Sequence, residues 1–423
     1  MRSLMTNKTQ PSSGLPHAVF LRRVAEEPAT SPEVRLGQGA FLALRFVDLL
    51  SPDREPPTPD VFRYQWAATE RYCAELAGEG TEASHLGEIV RATGQAHAAG
   101  DITLVAPALF AYALFLEHES HLEEAGDALE TMIRIGQKRI PVADRISAWW
   151  RLGRVRRLQT EFDLADAAFA EAGRLARDHG DDLSVLLSRV GHCNVLHFRG
   201  NLAGAENAWR GILADALAAG FRSVEAQAEH GLGNILVRRG QAHEGVPHLW
   251  RSYELYEDEA IQARAMGDLG LALLSLGDVE AAERALQHVL RSRASPELIA
   301  NAMIELMNCA SFRRDRVSFE RWRERIVEHD HHCAPNIRAD YHLKAGVGFA
   351  RFENLRRAEA ELTQAHDIAQ AHDLHEMVFR IERMLGGLTT CGAPDNLGSA
   401  AVDTPIQTDS LREVSASLAA LET

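Results

Sequence analysis

Several groups of residues in the sequence are of types that could do chemistry. His329, His331, His332, Cys333 and His342 form the densest group. Imidazole and thiolate are good zinc ligands. The spacing supplies no second Cys and no helical H-x-x-x-H pair, so the expectation is an ordinary inter-helix loop, with no metal and no cofactor. Glu117-His118-Glu119-Ser120-His121 also looks chemical. No G-x-S-x-G elbow, G-x-x-x-x-G-K-[ST] phosphate loop, strand-linked G-x-G-x-x-G or H-E-x-x-H pair accompanies it, which argues against an enzyme. Arg151, Arg154 and Arg157 recur every third residue, a basic stripe on one helix face that could clamp a carboxylate. Asn194 and Asn234 lie 40 residues apart. Their amides can both donate to and accept from a peptide backbone.

What positions these residues is a repeat. Small residues recur inside apolar helical patterns at Cys73, Ala113, Gly153, Cys193 and Gly233, each 40 after the last, then at Gly270 and Gly346, with one degenerate unit near Leu306. Seven residues after each anchor comes a turn-compatible residue: Gly80, Ser120, Thr160, Gly200, Gly240, Gly277, Arg313, Glu353. Twelve after comes a second small residue in most units, such as Ala165 or Ala282. Sixteen after comes a large apolar one: Ile89, Leu129, Phe169, Trp209, Leu249, Leu286, Trp322, Leu362. A small residue lets a second helix cross closely, and a large one fills the gap beside it. Ser31-Pro32-Glu33, Thr58-Pro59-Asp60 and Ser295-Pro296-Glu297 read as helix N-caps followed by Pro at the first position. Pro247 falls inside an expected second helix, which is therefore expected to start late, after Gly245.

The pattern Trp149-Trp150-Arg151-Leu152-Gly153, then Ala165 and Phe169, resembles the tetratricopeptide repeat. The resemblance implies an all-α fold: an α-solenoid, a right-handed superhelix of antiparallel helix pairs. About eight units and sixteen helices fit residues 59–385. Residues 1–58 would add one or two helices. From Gly386 the composition turns to Gly, Ser, Thr and Pro, a linker ahead of a short helix opened by a capping box at Ser410-Leu411-Arg412-Glu413. In this family the residue after the anchor points into the concave groove, which would place Arg154, Asn194 and Asn234 there, with Trp150, His197 and His230 alongside. The family's carboxylate clamp uses Lys and Asn at set places, and the lysines are missing here.

Composition narrows the function. Net charge is −15, from 45 basic and 60 acidic residues, a poor balance for neutralising phosphates, so no nucleic-acid partner is expected. Three of the basic residues are Lys, a bias that suggests a GC-rich bacterial genome. No apolar run is long enough for a signal peptide or a membrane span, and five Cys without a C-x-x-C pair suit a reducing cytoplasm. Cys73 and Cys193 occupy the anchor column, where packing accounts for them. The expectation is a non-enzymatic adaptor or scaffold that binds a protein or peptide partner on the concave face, through Trp150, Arg151, Arg154, Arg157, Asn194, His197, His230 and Asn234. The alternative is a peptide- or small-ligand-sensing regulator of a separate effector.

Overall fold

Each repeat unit becomes a pair of antiparallel helices, and the fold is an all-α solenoid. The computed structural model describes residues 15–26, 31–137, 139–327, 334–391 and 408–421. Among these lie 20 α-helices and no strand. The chain divides into two compact units, residues 1–199 and 200–423. Unit 1 holds α1 (Arg22–Glu26), α2 (Pro32–Val47), α3 (Pro59–Glu75), α4 (Thr81–Ala99), α5 (Ala106–His118), α6 (Leu122–Gly136), α7 (Val142–Leu158), α8 (Phe162–Asp178) and α9 (Asp182–Phe198). Unit 2 holds α10 (Leu202–Ala219), α11 (Arg222–Arg238), α12 (Ala242–Leu255), α13 (Glu259–Ser275), α14 (Val279–Arg291), α15 (Pro296–Phe312), α16 (Arg316–Val327), α17 (Pro335–Arg351), α18 (Leu355–Ala371), α19 (His375–Cys391) and α20 (Asp409–Ala420). The sixteen repeat helices are α3 to α18, with the odd-numbered helix opening each pair.

The anchor columns do what their sizes dictate. A Cβ at Gly153 would meet the Phe169 ring at 2.8 Å, and one at Gly270 would meet Leu286 at 2.9 Å. Both partners are the sixteenth residue after the anchor, so the two helices of a pair touch backbone to side chain with no room to spare. The turns are Schellman motifs. His121 N donates to Leu116 O at 2.8 Å, Glu161 N to Arg156 O at 2.9 Å and Gln241 N to Leu236 O at 2.8 Å. The residue before each, Ser120, Thr160 or Gly240, is left-handed with φ of 64°, 62° and 80°. That is why the turn column favours Gly without requiring it. Ser31, Thr58 and Ser295 each accept a hydrogen bond from the backbone N–H three residues on, and Pro follows each.

Four local expectations are corrected. In the seventh pair the left-handed residue is Arg314, not Arg313, and Asp315 N bonds to Ala310 O at 2.9 Å. The anchor of that pair is therefore Met307, one residue beyond Leu306. Both are apolar, and no small residue marks the crossing. Helix α12 begins at Ala242 and carries Pro247 inside it. Gly245 N already donates to Gln241 O at 3.1 Å, and the donor that Pro247 lacks would have gone to the partly exposed His243. Helix α19 runs past Gly386 to Cys391, because Met384 and Leu385 pack onto the Leu362–Ala365 cluster and hold the turn before it. The cap of α20 is Thr408, whose hydroxyl accepts from Leu411 N at 3.3 Å, so the helix starts ahead of Ser410.

The first and last described α-helices are built into the fold by different means. In unit 1, buried Arg23 on α1 meets Glu82 of α4 at 2.9 Å and binds Glu124 of α6 through two nitrogens, Nε at 2.8 Å. Tyr112 OH donates to the second oxygen of Glu82 at 2.8 Å. In unit 2, Leu411, Val414 and Leu418 of α20 enter the apolar cluster that α12 and α14 help to form, and Ser415 Oγ donates to Asp278 at 3.1 Å. The tail helix therefore docks in cis.

Candidate functional site

In unit 1, Trp150, Arg154 and Arg157 project from α7 at i, i+4 and i+7. The stripe is less free than its spacing implies. Trp150 Nε1 donates to Leu187 O on α9 at 3.1 Å, and its ring meets Phe169 edge-on, so this indole joins α7, α8 and α9. Arg151 lies 5.4 Å from the Phe110 ring of α5. Arg154 Nε pairs at 2.6 Å with Glu117 of α5, whose carboxylate is only 6% exposed. Arg157 stands 4.8 Å over the ring of Phe198. Burial, and then the neighbouring Arg154 charge, hold the Arg157 guanidinium below its ordinary range, with Glu117 opposing.

Beyond this stripe lies the end of α9. Asn194 is half-buried, and its carboxamide has no side-chain hydrogen bond among the described residues. His197 follows one turn later and stacks on Phe198 at 5.4 Å. Phe198 is 58% exposed, a large ring open to solvent beneath an arginine. Sequence reasoning passed over it, because a lone Phe at a helix end carries no spacing signal.

In unit 2, the equivalent residues are tied up. His230 Nε2 lies 2.8 Å from Asp268 Oδ2, and its Nδ1 lies 3.2 Å from Tyr256 OH. Asn234 Nδ2 donates to the same Asp268 oxygen at 3.0 Å. Burial pushes the Tyr256 phenol up, and the Asp268 charge adds to it. The amide oxygen of Asn234 is what this network leaves over.

Further along unit 2, the first helices of three successive pairs and α19 line a cavity of about 220 Å³ that is open to solvent. It is lined by α13, α15, α17 and α19, with Leu271, Leu274, Val347 and Met384 on its apolar walls. Four of its polar side chains, Lys344, Glu305, Asn308 and Arg351, are linked in one chain. Lys344 pairs with Glu305 and, at 2.6 Å, with Asp340. Asn308 Nδ2 donates to Glu305 at 3.2 Å, and its oxygen accepts from Arg351 Nη1 at 2.9 Å.

The other candidates resolve simply. His329, His331, His332 and Cys333 lie outside the described residues; His342 Nδ1 lies 2.7 Å from Glu361. Cys73 and Cys193 are buried, and burial raises their thiols to about 11 and about 12. No described helix is long and apolar enough to cross a membrane.

The tetratricopeptide-repeat profile matches residues 224–295, which covers α11 to α14. The chain carries tetratricopeptide repeats. No curated protein matches the sequence. Among solved structures, a tetratricopeptide-repeat protein from Parabacteroides merdae is 12% identical, over 67% of this chain and 99% of its own, with a TM-score of 0.44. The Rap conjugation gene regulator of the plasmid pLS20, solved in complex with a peptide, is 13% identical over 79% of this chain and 97% of its own, with a TM-score of 0.48. The apo form of RapI is 8% identical over 85% of this chain and 98% of its own, with a TM-score of 0.49.

Proposed function

We propose that this tetratricopeptide-repeat protein is a non-enzymatic adaptor that holds a peptide or helix of a partner protein on the face made by its first helices. Its contact residues would be Trp150, Arg151, Arg154, Arg157, Asn194 and His197 in unit 1, and His230 and Asn234 in unit 2. The observation that supports this is the end of α9. There Asn194, whose carboxamide has no side-chain hydrogen bond among the described residues, sits one turn from an exposed ring, Phe198, with Arg157 at 4.8 Å from its centre. A peptide backbone needs a donor and acceptor at a fixed place, and its side chains need apolar surface; rigid helices present both without ordering cost on binding. Arg154 supports the face rather than offering a free charge, because Glu117 already holds it.

The test is to capture the partner from the native host and measure its affinity for Asn194→Ala, Phe198→Ala and the double variant. These substitutions leave every helix crossing untouched. The expected loss for Asn194→Ala is ~0.5–1.5 kcal/mol, a several-fold weakening. Phe198→Ala should cost more, since aromatic anchors dominate such surfaces. If the folded double variant binds as tightly as wild type, this face is not the binding surface.

A further inference from the structure

Many buried or half-buried arginines of this chain are held by carboxylates. Arg156 has Glu161 at 2.6 Å, and Arg323 has Glu320 at 2.7 Å and Glu361 at 3.0 Å. Arg351, in the wall of the 220 Å³ cavity, differs. It has no carboxylate partner among the described residues. Its Nη1 donates to two neutral acceptors, Asn308 Oδ1 at 2.9 Å and Ser311 Oγ at 2.6 Å. Its guanidinium carbon lies 3.6 Å from the centre of the Phe312 ring, stacked against it. The Nε–Nη2 edge, which can grip a carboxylate with two parallel hydrogen bonds, is left without a partner among the described residues. Burial, reinforced by the nearby Arg314 charge, pulls this guanidinium down to about 10, as expected of a cation that lacks an anion.

The rest of the cavity has the same bias. Arg380, exposed on α19, lines it and has no ion-pair partner among the described residues. Lys344 is already neutralised by Glu305 and Asp340. The lining therefore carries uncompensated positive charge inside a chain of net charge −15. The apolar walls would receive aliphatic groups next to the anion.

We propose that this cavity binds a carboxylate carried on an apolar segment of a peptide, gripped by Arg351 through its Nε–Nη2 edge and enclosed by Arg380 at the rim. The proposal rests on the reading that the first-helix face takes peptides. The carboxylate comes either from an acidic side chain or from a chain terminus. The local sequence around Arg351 holds no acid three or four residues away, so the position was arranged by α15 rather than by its own helix.

Three fluorescein-labelled pentapeptides, each with two leucines, test it by fluorescence anisotropy. The first has a free terminal carboxylate, the second is its amide, and the third is the amide with one internal aspartate. At least one carboxylate peptide should bind ten-fold or more tighter than the neutral amide, and which one binds identifies the source. Arg351→Met should abolish that preference. Arg380→Gln, on an exposed position that does not endanger folding, should reduce it several-fold. Circular dichroism checks that both variants are folded. Equal binding of all three peptides would leave the face a peptide binder and overturn the carboxylate grip. Binding of none, or a preference that survives both substitutions, would also overturn it. The adaptor reading is judged separately by Asn194→Ala and Phe198→Ala.

Discussion

Helices α1 and α20, the first and last α-helices among the described residues, are docked by opposite physics. At the N-terminal end, Arg23 is 10% exposed and shared between Glu82 and Glu124, both 8% exposed. His17, buried, lies 2.5 Å from Asp127 and 3.3 Å from Asp48, and Asp48 also holds Arg134 at 2.6 Å. At the C-terminal end, α20 contributes three apolar side chains and one hydrogen bond. Buried charges demand one geometry and are costly to leave unpaired. Apolar burial on one face of a twelve-residue helix is non-directional and must offset the entropy of ordering that helix. The first kind of dock is expected to be lost only with the folded unit, whereas the second is expected to open while the unit stays folded.

The largest expected effect tests that contrast directly. Arg23→Met leaves two buried carboxylates without their cation and should destabilise unit 1 by ~3–5 kcal/mol, read from chemical denaturation. Leu418→Ala should instead release α20 alone. Amide exchange over residues 409–420 should become fast while the melting temperature of the chain holds. Equal effects of the two substitutions on global melting would erase the distinction.

A smaller effect is pH dependence. Burial opposes the charge on His17, but Asp127 and Asp48 together raise its pKa above the ordinary 6.5. Its contribution is therefore complete below 6.5 and fades as pH rises through the raised value. For Asp48, burial is outweighed by His17 and Arg134, which lower its pKa below 3.8. That contribution is present above 3.8 and fades as pH falls through the lowered value. Unit 1 should be most stable between these limits and weaken as pH rises above 6.5. His17→Gln should flatten the upper limb. Protection of α20, which rests on apolar contacts, should not change over the same range.

The smallest difference sharpens the comparison to single hydrogen bonds. Tyr112→Phe strips a buried donor from Glu82 and should cost ~1–3 kcal/mol. Ser415→Ala removes a half-exposed bond to Asp278 and should stay within about 0.5 kcal/mol. Matched denaturation curves for the pair decide it.

Much of the fold was legible because it is written in local spacing. The forty-residue columns at Gly153 and Gly233 located each helix crossing, and the three Ser/Thr-Pro caps located helix starts. The spacing lost its register at Leu306 and Met307, where two adjacent apolar residues left no small one to mark the crossing. The candidate site was only half legible. The spacing of Arg151, Arg154 and Arg157 put them on one side of a helix, but what they touch comes from Phe110, Glu117 and Phe198 on other helices. Asn194 and Asn234 look identical in sequence. Among the described residues Asn194 has no side-chain hydrogen bond, whereas Asn234 is bound to Asp268, because the first helix of the next pair presents an acid there.

The sequence by itself determined the helices, their turns and the column of small residues at each crossing, since these depend on residues within about forty positions of one another. Tertiary structure decided which charges are spent and which remain. Arg23 is neutralised by Glu82 and Glu124, from 59 and 101 residues away. Arg351 meets Asn308, Ser311 and Phe312, has no carboxylate partner among the described residues, and keeps its charge. A side chain's partners depend on which helices stack beside it, and that stacking is set by packing across the whole unit rather than by any local pattern.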